Sequence, residues 1–346
     1  MTVVVVGAGI IGCATALELA RAGCQVTLVE RAGPGAEASG AAAGMLAPLG
    51  ESSARGFREL AVASWRLYPS VVEELRARTG IDVEYVTRGT IYPLSRTPDE
   101  SEARQWALGE EFRAEVLDAK EVHAREPALS PRIRGGIFVK GDHWVNNQRL
   151  VMAYAQAAVA SGVELRTGCL ASRLVVEGSR VRGVVADGER LDADQVLVTA
   201  GAWTADLLAS IGLALPLEPR RGQMLALAHV PPVLTHCVHG EVYLVPRPSG
   251  ELLVGATVER AGFQRAVTVD GLSGLLRGAL DLVPDLAELS IARTWAGLRP
   301  WAVDALPVLG PWPGADGLWL ATAHFRNGIL LAPITARVMT EWMVQG

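Results

Sequence analysis

The chain opens on an unbroken apolar run, Thr2–Val6, with no polar position to alternate with. A strand of that kind is buried on both faces, as in a parallel sheet. Gly7-Ala8-Gly9-Ile10-Ile11-Gly12 follows at once. Next comes an Ala-, Leu- and Glu-rich stretch, Cys13–Ala22, which predicts a helix stopped by Gly23. Gln25–Val29 is a second apolar run, closing on Glu30. Strand, glycine turn, helix and strand in this order predict one βαβ unit.

Beyond it, Arg31–Leu49 reads as a small-residue loop, and Glu51–Thr79 as a helix with Trp65, Leu67, Val71, Val72 and Leu75 at helical spacing. Gly89–Leu94 predicts a strand and polar Asp99–Leu117 a helix. Arg149–Ser161 predicts another helix, ended by Gly162. Glu164–Arg166, Leu174–Val176 and Val181–Ala186 read as a β-meander, and Gln195–Thr199 as an apolar strand. Gly222–Ala228 is a further strand. Val242–Val245 and Glu251–Val258, joined by a proline turn, give a hairpin signal. Gly271–Leu282 is a short helix, Leu318–Ala321 a strand, and Asn327–Met343 a final amphipathic helix. No internal repeat and no low-complexity linker interrupts the pattern.

Composition narrows the class. Half of the 346 residues are hydrophobic and 20% are charged, a globular profile. The net charge of −5 offers no basic excess for a phosphate backbone, so no nucleic acid is expected. No apolar run reaches membrane-spanning length, and the apolar N-terminus lacks the basic flank of a signal peptide; a cytoplasmic protein with no membrane partner is expected. Cys13, Cys24, Cys169 and Cys237 are scattered. Cys237 and His239 have no ligand partners at useful spacing, so neither a disulfide framework nor a metal is expected.

The glycine run carries the first chemistry. Gly7 permits the tight turn, Gly9 lets backbone approach a pyrophosphate, and Gly12 lets helix and strand pack closely. The helix N-terminus offers unpaired N–H donors to that anion. Glu30, about 20 residues beyond, can accept hydrogen bonds from ribose hydroxyls and would repel a 2′-phosphate. That favours FAD or NAD over NADP, and the unit alone does not separate these two. Further on, Ser39-Gly40-Ala41-Ala42-Ala43-Gly44-Met45-Leu46 allows close approach by a bulky planar group.

Other segments run in order to the end of the chain. They are Glu30-Arg31, Ala42-Ala43-Gly44-Met45-Leu46, Thr199-Ala200-Gly201-Ala202-Trp203, Arg221-Gly222-Gln223-Met224, Tyr243-Leu244-Val245-Pro246-Arg247, Gly255-Ala256-Thr257, Gly297-Leu298-Arg299-Pro300 and His324-Phe325-Arg326-Asn327-Gly328-Ile329. Together with the glycine run, they make the chain similar to the glycine oxidase and D-amino-acid oxidase family of FAD-dependent oxidoreductases, within it the bacterial glycine oxidases. The resemblance implies an α/β protein in which a Rossmann-like FAD-binding domain (1–84, 144–215 and 298–346) interleaves with an antiparallel-sheet α+β substrate domain (85–143 and 216–297). It implies FAD contacts at Gly7, Gly9, Ile10, Ile11, Gly12, Glu30, Arg31, Ala42, Ala43, Gly44, Met45, Ala171, Ala200, Gly201, Trp203, Arg326, Asn327, Gly328 and Ile329. Relatives with covalent flavin carry a cysteine near the last motif; Thr322-Ala323-His324-Phe325 has none, so non-covalent FAD is expected.

A small amino acid needs a cation for its carboxylate, and arginine's planar fork bonds both oxygens. Arg299, between apolar neighbours and Pro300, is either that clamp or the partner of a structural carboxylate such as Asp304; the resemblance implies the clamp. It likewise implies that the Tyr243 hydroxyl faces the pocket, with Arg326 and Met45 beside it. Glu241, two residues before Tyr243, shares its face if the strand extends that far, and belongs either to the pocket or to the solvent. His324 is a weak candidate for chemistry, and His143, Trp144 and Asn146 read as structural. The implied reaction passes a hydride from the amine's α-carbon to flavin N5. The imine hydrolyses to a 2-oxo acid and ammonia, O2 reoxidises the flavin to give hydrogen peroxide, and the setting is thiamine (thiazole) biosynthesis. Sarcosine, D-amino acids or D-proline as substrate, a non-oxygen electron acceptor, and a nucleotide module without catalysis remain open. The resemblance implies a homo-oligomer, a tetramer.

Overall fold

The computed structural model of the chain describes residues 1–49, 55–101, 112–228 and 232–345. Its first sheet is built around Thr2–Val6. In spatial order its strands are Val308–Pro311, Leu318–Thr322, Gln195–Val198, Thr2–Val6, Gln25–Glu30 and Glu164–Thr167. Neighbours are parallel except for the edge pair Val308–Pro311 with Leu318–Thr322. The unbroken apolar run now has its reason. Val3 and Val5 pack under helices Ile10–Arg21, Arg55–Thr79, Asn147–Ala160 and Gly328–Gln345. Val4 and Val6 pack on the opposite face, against the meander Ala171–Glu177, Arg180–Ala186 and Glu189–Asp192 and helix Thr204–Ala209. With both faces buried, no position of the strand is left for a polar side chain.

The second sheet has eight strands, in the order Ser290–Ala302, Leu217–Ala228, Glu251–Gly255, Tyr243–Pro246, Cys237–His239, Thr90–Leu94, Gly135–Val139 and Ala114–Asp118. All its pairs are antiparallel except Cys237–His239 with Thr90–Leu94. Alternate residues serve different partners. Leu225, Leu227, Leu244, Leu252 and Val254 pack with helix Val269–Leu282. Met224, Ala226, Val245 and Leu253 point the other way, onto Ala43 and Trp144. That second face meets the small-residue loop after Glu30. The expected α/β architecture, a Rossmann-like parallel sheet joined to a largely antiparallel one, is therefore present.

Local expectations are corrected in several places. Ala114–Asp118 is an edge strand rather than the end of a helix, and residues 102–111 of that expected helix lie outside the described residues. An edge strand exposes one side, so its polar residues mimic a solvated helix. Residues 50–54 of the expected helix Glu51–Thr79 also lie outside the described residues. Glu164–Thr167 pairs with Gln25–Glu30 in the parallel sheet instead of joining the meander, through a contact too distant along the chain for periodicity to report. The segment Arg31–Leu49 is not wholly loop: it holds the short helix Ala38–Ala41, and the strand Met45–Leu46 paired with His143–Trp144. Ser290–Ala302, a 13-residue strand, has no counterpart among the elements the pattern predicts. Its outer half is exposed, and a ladder to Leu217–Ala228 holds it in place.

The final helix contains Pro333, which cannot donate to the carbonyl of Ile329. The Tyr68 hydroxyl donates to that oxygen instead, and the Ser64 hydroxyl donates to Leu330 O at 2.6 Å. Helix Arg55–Thr79 thus repairs the interrupted ladder and fixes where the last helix begins. Among the described residues, no helix is long and apolar enough to cross a membrane.

Candidate active site

A cavity of about 430 Å³ starts at the C-terminal end of Thr2–Val6, where ligands bind in open α/β sheets. Gly7, Gly9, Ile10 and Ile11 line it. Gly7 has φ +104°, and a Cβ there would stand 2.8 Å from Thr199 O. Gly12 does not line the cavity. Its missing side chain serves packing, since a Cβ would lie 1.9 Å from Gly7 O. Helix Ile10–Arg21 has Gly9 as N-cap, with no side-chain cap and no acid in its first turn, which suits an anionic ligand.

Glu30 lies on the cavity wall. Its Oε2 accepts from Ala8 N at 2.8 Å and its Oε1 from Ala32 N at 2.9 Å, so the carboxylate is held at the end of its strand. The Arg31 guanidinium stacks 3.7 Å over the Trp203 ring and pairs with Glu37. Ala42, Ala171, Ala200, Gly201 and Trp203 complete this part of the wall. Ser39 belongs to the small-residue loop. Its Oγ accepts from Ile10 N at 3.0 Å, tying that loop to the helix N-terminus.

Arg299, Arg326, Gly328 and Ile329 line the same cavity. Asn327 is buried beside it; its carbonyl accepts from Leu331 N in the first turn of the last helix, but its side chain is not on the wall. Ala323 and Phe325, on either side of His324, take left-handed φ of 60° and 49°. Only a tightly held loop keeps such residues there. Phe325 N donates to Pro300 O at 3.1 Å, which brings this loop beside Arg299. His324 is buried, bonded to Thr335 Oγ1 at 3.1 Å, and burial lowers its pKa to about 3.

The Arg221-Gly222-Gln223-Met224 motif divides its labour by alternation. Arg221 and Gln223 hold Glu259, with Gln223 Nε2 2.7 Å from its Oε1, and so anchor the chain after Glu251–Gly255. Gly222 and Met224 face the other way. A Cβ on Gly222 would fall 2.1 Å from the Arg299 guanidinium, so only glycine lets that group lie flat against the strand. Met224 Sδ accepts from the Tyr243 hydroxyl at 3.6 Å. Arg299 Nη1 donates to Thr257 O at 2.9 Å, and the Tyr243 ring covers Gly255. Arg299 and Tyr243 are therefore gathered about one short stretch, Gly255–Thr257.

Tyr243 and Met45 do not touch the cavity wall; they belong to the apolar cluster beside it, with Trp144, Met224 and Trp295. Ala43 and Gly44 lie behind the wall too. Gly44 has φ +79°, and a Cβ there would meet Val145 O at 2.1 Å. His239, considered in the sequence only as a metal ligand, stands edge-on to Tyr243 with ring centroids 5.9 Å apart. Burial, and secondly the charge of Arg326, lowers its pKa to about 4. Glu241 is exposed in the bend before the strand. Among the described residues, no cluster of His, Cys, Asp and Glu could hold a metal.

The residues suit a dinucleotide with a planar ring: a helix start without an acid, a carboxylate held on the cavity wall at the end of the second strand, and glycines where side chains would block the way. The match extends to whole chains. Residues 2–342 fit the family described as FAD dependent oxidoreductase (DAO). The chain belongs to that family, and its cofactor is FAD. It is 39% identical to the glycine oxidase of Pseudomonas putida over 343 residues, covering 98% of this chain and 93% of that protein. It is 37% identical to the bifunctional protein ThiO/ThiG of Trichormus variabilis, covering 99% of this chain and 52% of that longer protein. Its fold superposes on the crystal structure of glycine oxidase from Geobacillus kaustophilus with TM-score 0.92 and 34% identity, covering 99% of this chain and 94% of that one.

Proposed function

We propose that this protein oxidises glycine: glycine + O2 + H2O gives glyoxylate + NH3 + H2O2. The reading rests on one observation above others. Two arginines, Arg299 and Arg326, line the end of the FAD cavity where the last helix begins, with the Tyr243 hydroxyl and a neutral His239 nearby. A cationic, partly apolar pocket binds a carboxylate and disfavours a neighbouring ammonium, which promotes loss of the amine proton. The Trp144, Trp295 and Met224 side chains packed around Tyr243 favour a small substrate.

In this reading Arg299 takes the carboxylate through its planar fork, and the Tyr243 hydroxyl adds a bond without charge. Arg326 and the start of helix Gly328–Gln345 place positive potential at the end of the cavity. Gly7, Gly9, Glu30 and the loop Ser39–Leu46 would hold FAD, which when bound supplies the two-electron acceptor and its reoxidation by oxygen. The chain's division into a cofactor part (1–84, 144–215 and 298–346) and a substrate part (85–143 and 216–297) is supported by which segments feed each sheet; strand Ser290–Ala302 spans the last boundary and carries Arg299 across it. The 37% identity to a protein named ThiO/ThiG supports a role in supplying thiamine's thiazole ring.

The test is peroxide release by the purified yellow protein, with glycine, sarcosine, D-alanine and D-proline compared by kcat/KM. Glycine is expected to lead. A larger amine ahead of glycine overturns the substrate assignment. Bleaching by glycine without recolouring in air overturns oxygen as acceptor.

A further inference from the structure

Arg247 is among the most deeply buried charged side chains of the molecule, at 4% exposure, and has no ion pair among the described residues. Its guanidinium is satisfied by neutral oxygens: Val145 O, Ala43 O at 2.9 Å and Asn147 Oδ1 at 3.0 Å. Burial lowers its pKa only to about 10, so it stays charged at neutral pH. Burying a cation against carbonyls is costly, and the arrangement invites a reason beyond filling space.

The acceptors supply one. Ala43 lies in the loop on which the flavin rests in the reading above, and Val145 O is the atom against which Gly44 is pressed. Asn147 passes the connection on, because its Nδ2 donates to Ser39 O at 2.7 Å and to Gly40 O at 3.0 Å. Ser39 Oγ in turn accepts from Ile10 N at the start of the dinucleotide helix. At the other end, Arg247 directly follows strand Tyr243–Pro246, and its parity with Tyr243 and Val245 puts all three on one face. Trp144 Nε1, donating to Pro246 O at 3.0 Å, fastens the same strand. One buried polar chain thus runs from the strand bearing Tyr243, through Arg247 and Asn147, to the loop Ser39–Leu46 and the helix N-terminus.

We propose that Arg247 and Asn147 are positioning residues that fix the loop Ser39–Leu46, and with it the FAD seat, against the strand carrying Tyr243. The inference rests on the FAD-binding assignment of that loop. Removing Arg247 outright strands three acceptors and risks the fold, so two gentler changes serve as the test. Arg247→Lys keeps the charge but cannot reach all three oxygens. Asn147→Asp keeps the acceptor for Arg247 and removes both donors to Ser39 and Gly40. Leu275→Ala, on the buried face of helix Val269–Leu282, controls for general loss of stability.

FAD affinity is measured by titrating apoprotein fluorescence, and the ring's setting by visible circular dichroism of the holoprotein. Both variants are expected to bind FAD about tenfold more weakly or worse, with an altered flavin dichroism. The control is expected to lose melting temperature while keeping the parent affinity and spectrum. Parent-like affinity and dichroism in Arg247→Lys and Asn147→Asp overturn the proposal, as does an equal loss in the control. A parent protein that binds no FAD overturns the cofactor assignment itself, which separates the two failures.

Discussion

The glycine-rich wall of the cavity and the group of side chains about Arg299 are built by different means. The wall depends on a short stretch of chain, Gly7 to Glu30 with Ser39 added, and its working groups are mostly backbone: N–H donors, carbonyls and positions where no side chain fits. The substrate site proposed above takes Arg299 and Arg326 from the cavity wall and Tyr243 and His239 from beside it, four separate segments, and its working groups are side chains. Backbone groups at a helix start tolerate change in surrounding sequence provided the glycines remain. A pocket of convergent side chains is lost or re-specified by a single substitution. The difference teaches where to look for cofactor retention and where for substrate choice.

Four measurements probe this division. The largest effect concerns acid, because three imidazoles are held neutral in the fold, His324 buried and His143 and His239 half-buried. His143 and His239 have pKa values near 4, and His324 near 3, all lowered by burial from 6.5. Unfolding lets each take a proton below about pH 6.5, so their contribution to stability is complete above that pH and is lost as pH falls toward the folded values. Together they add a slope of up to about 4 kcal/mol per pH unit. Melting temperature should fall steeply between pH 6.5 and 4, and more gently in His324→Gln.

Next is Arg299→Ala, expected to lower kcat/KM roughly 10³-fold while FAD stays bound. Equal turnover in variant and parent would remove Arg299 as the carboxylate clamp. Glu30→Ala should do the reverse, weakening FAD about tenfold by loss of charge-assisted hydrogen bonds, with KM for the amine unchanged in FAD-saturated enzyme. An unchanged FAD dissociation constant contradicts the ribose role. The smallest effect is Tyr243→Phe, which removes a neutral hydroxyl bond and should raise KM about fivefold. A change confined to FAD affinity would move Tyr243 to the other side of the comparison.

Legibility in the sequence follows the same divide. The glycine run, Glu30 and the flanking strands could be read because their geometry is local: each role is fixed by neighbours within one βαβ unit. Arg299 stood out as an arginine among apolar residues, yet the 13-residue strand bearing it did not, because its pairing partner Leu217–Ala228 is far away along the chain. His239 carried no signal of its own beyond a failed metal spacing. Arg247 entered only as the last residue of a family motif, and Asn147 carried no signal. Burial and partners are properties of the packed chain, and no window of sequence contains them.

The sequence alone was enough for the buried parallel strand, the dinucleotide turn, the carboxylate that closes the second strand and, through motifs spread from end to end, the family. These are set by steric exclusion at glycine, by β-branched burial and by short-range spacing. The packed chain was needed to show that Gly222 makes room for the Arg299 guanidinium, that Tyr68 and Ser64 repair the helix interrupted by Pro333, and that Arg247 ties strand Tyr243–Pro246 to the loop Ser39–Leu46. Each of these joins groups many residues apart, and such contacts exist only once two hydrophobic faces have closed and left buried polar atoms to find each other.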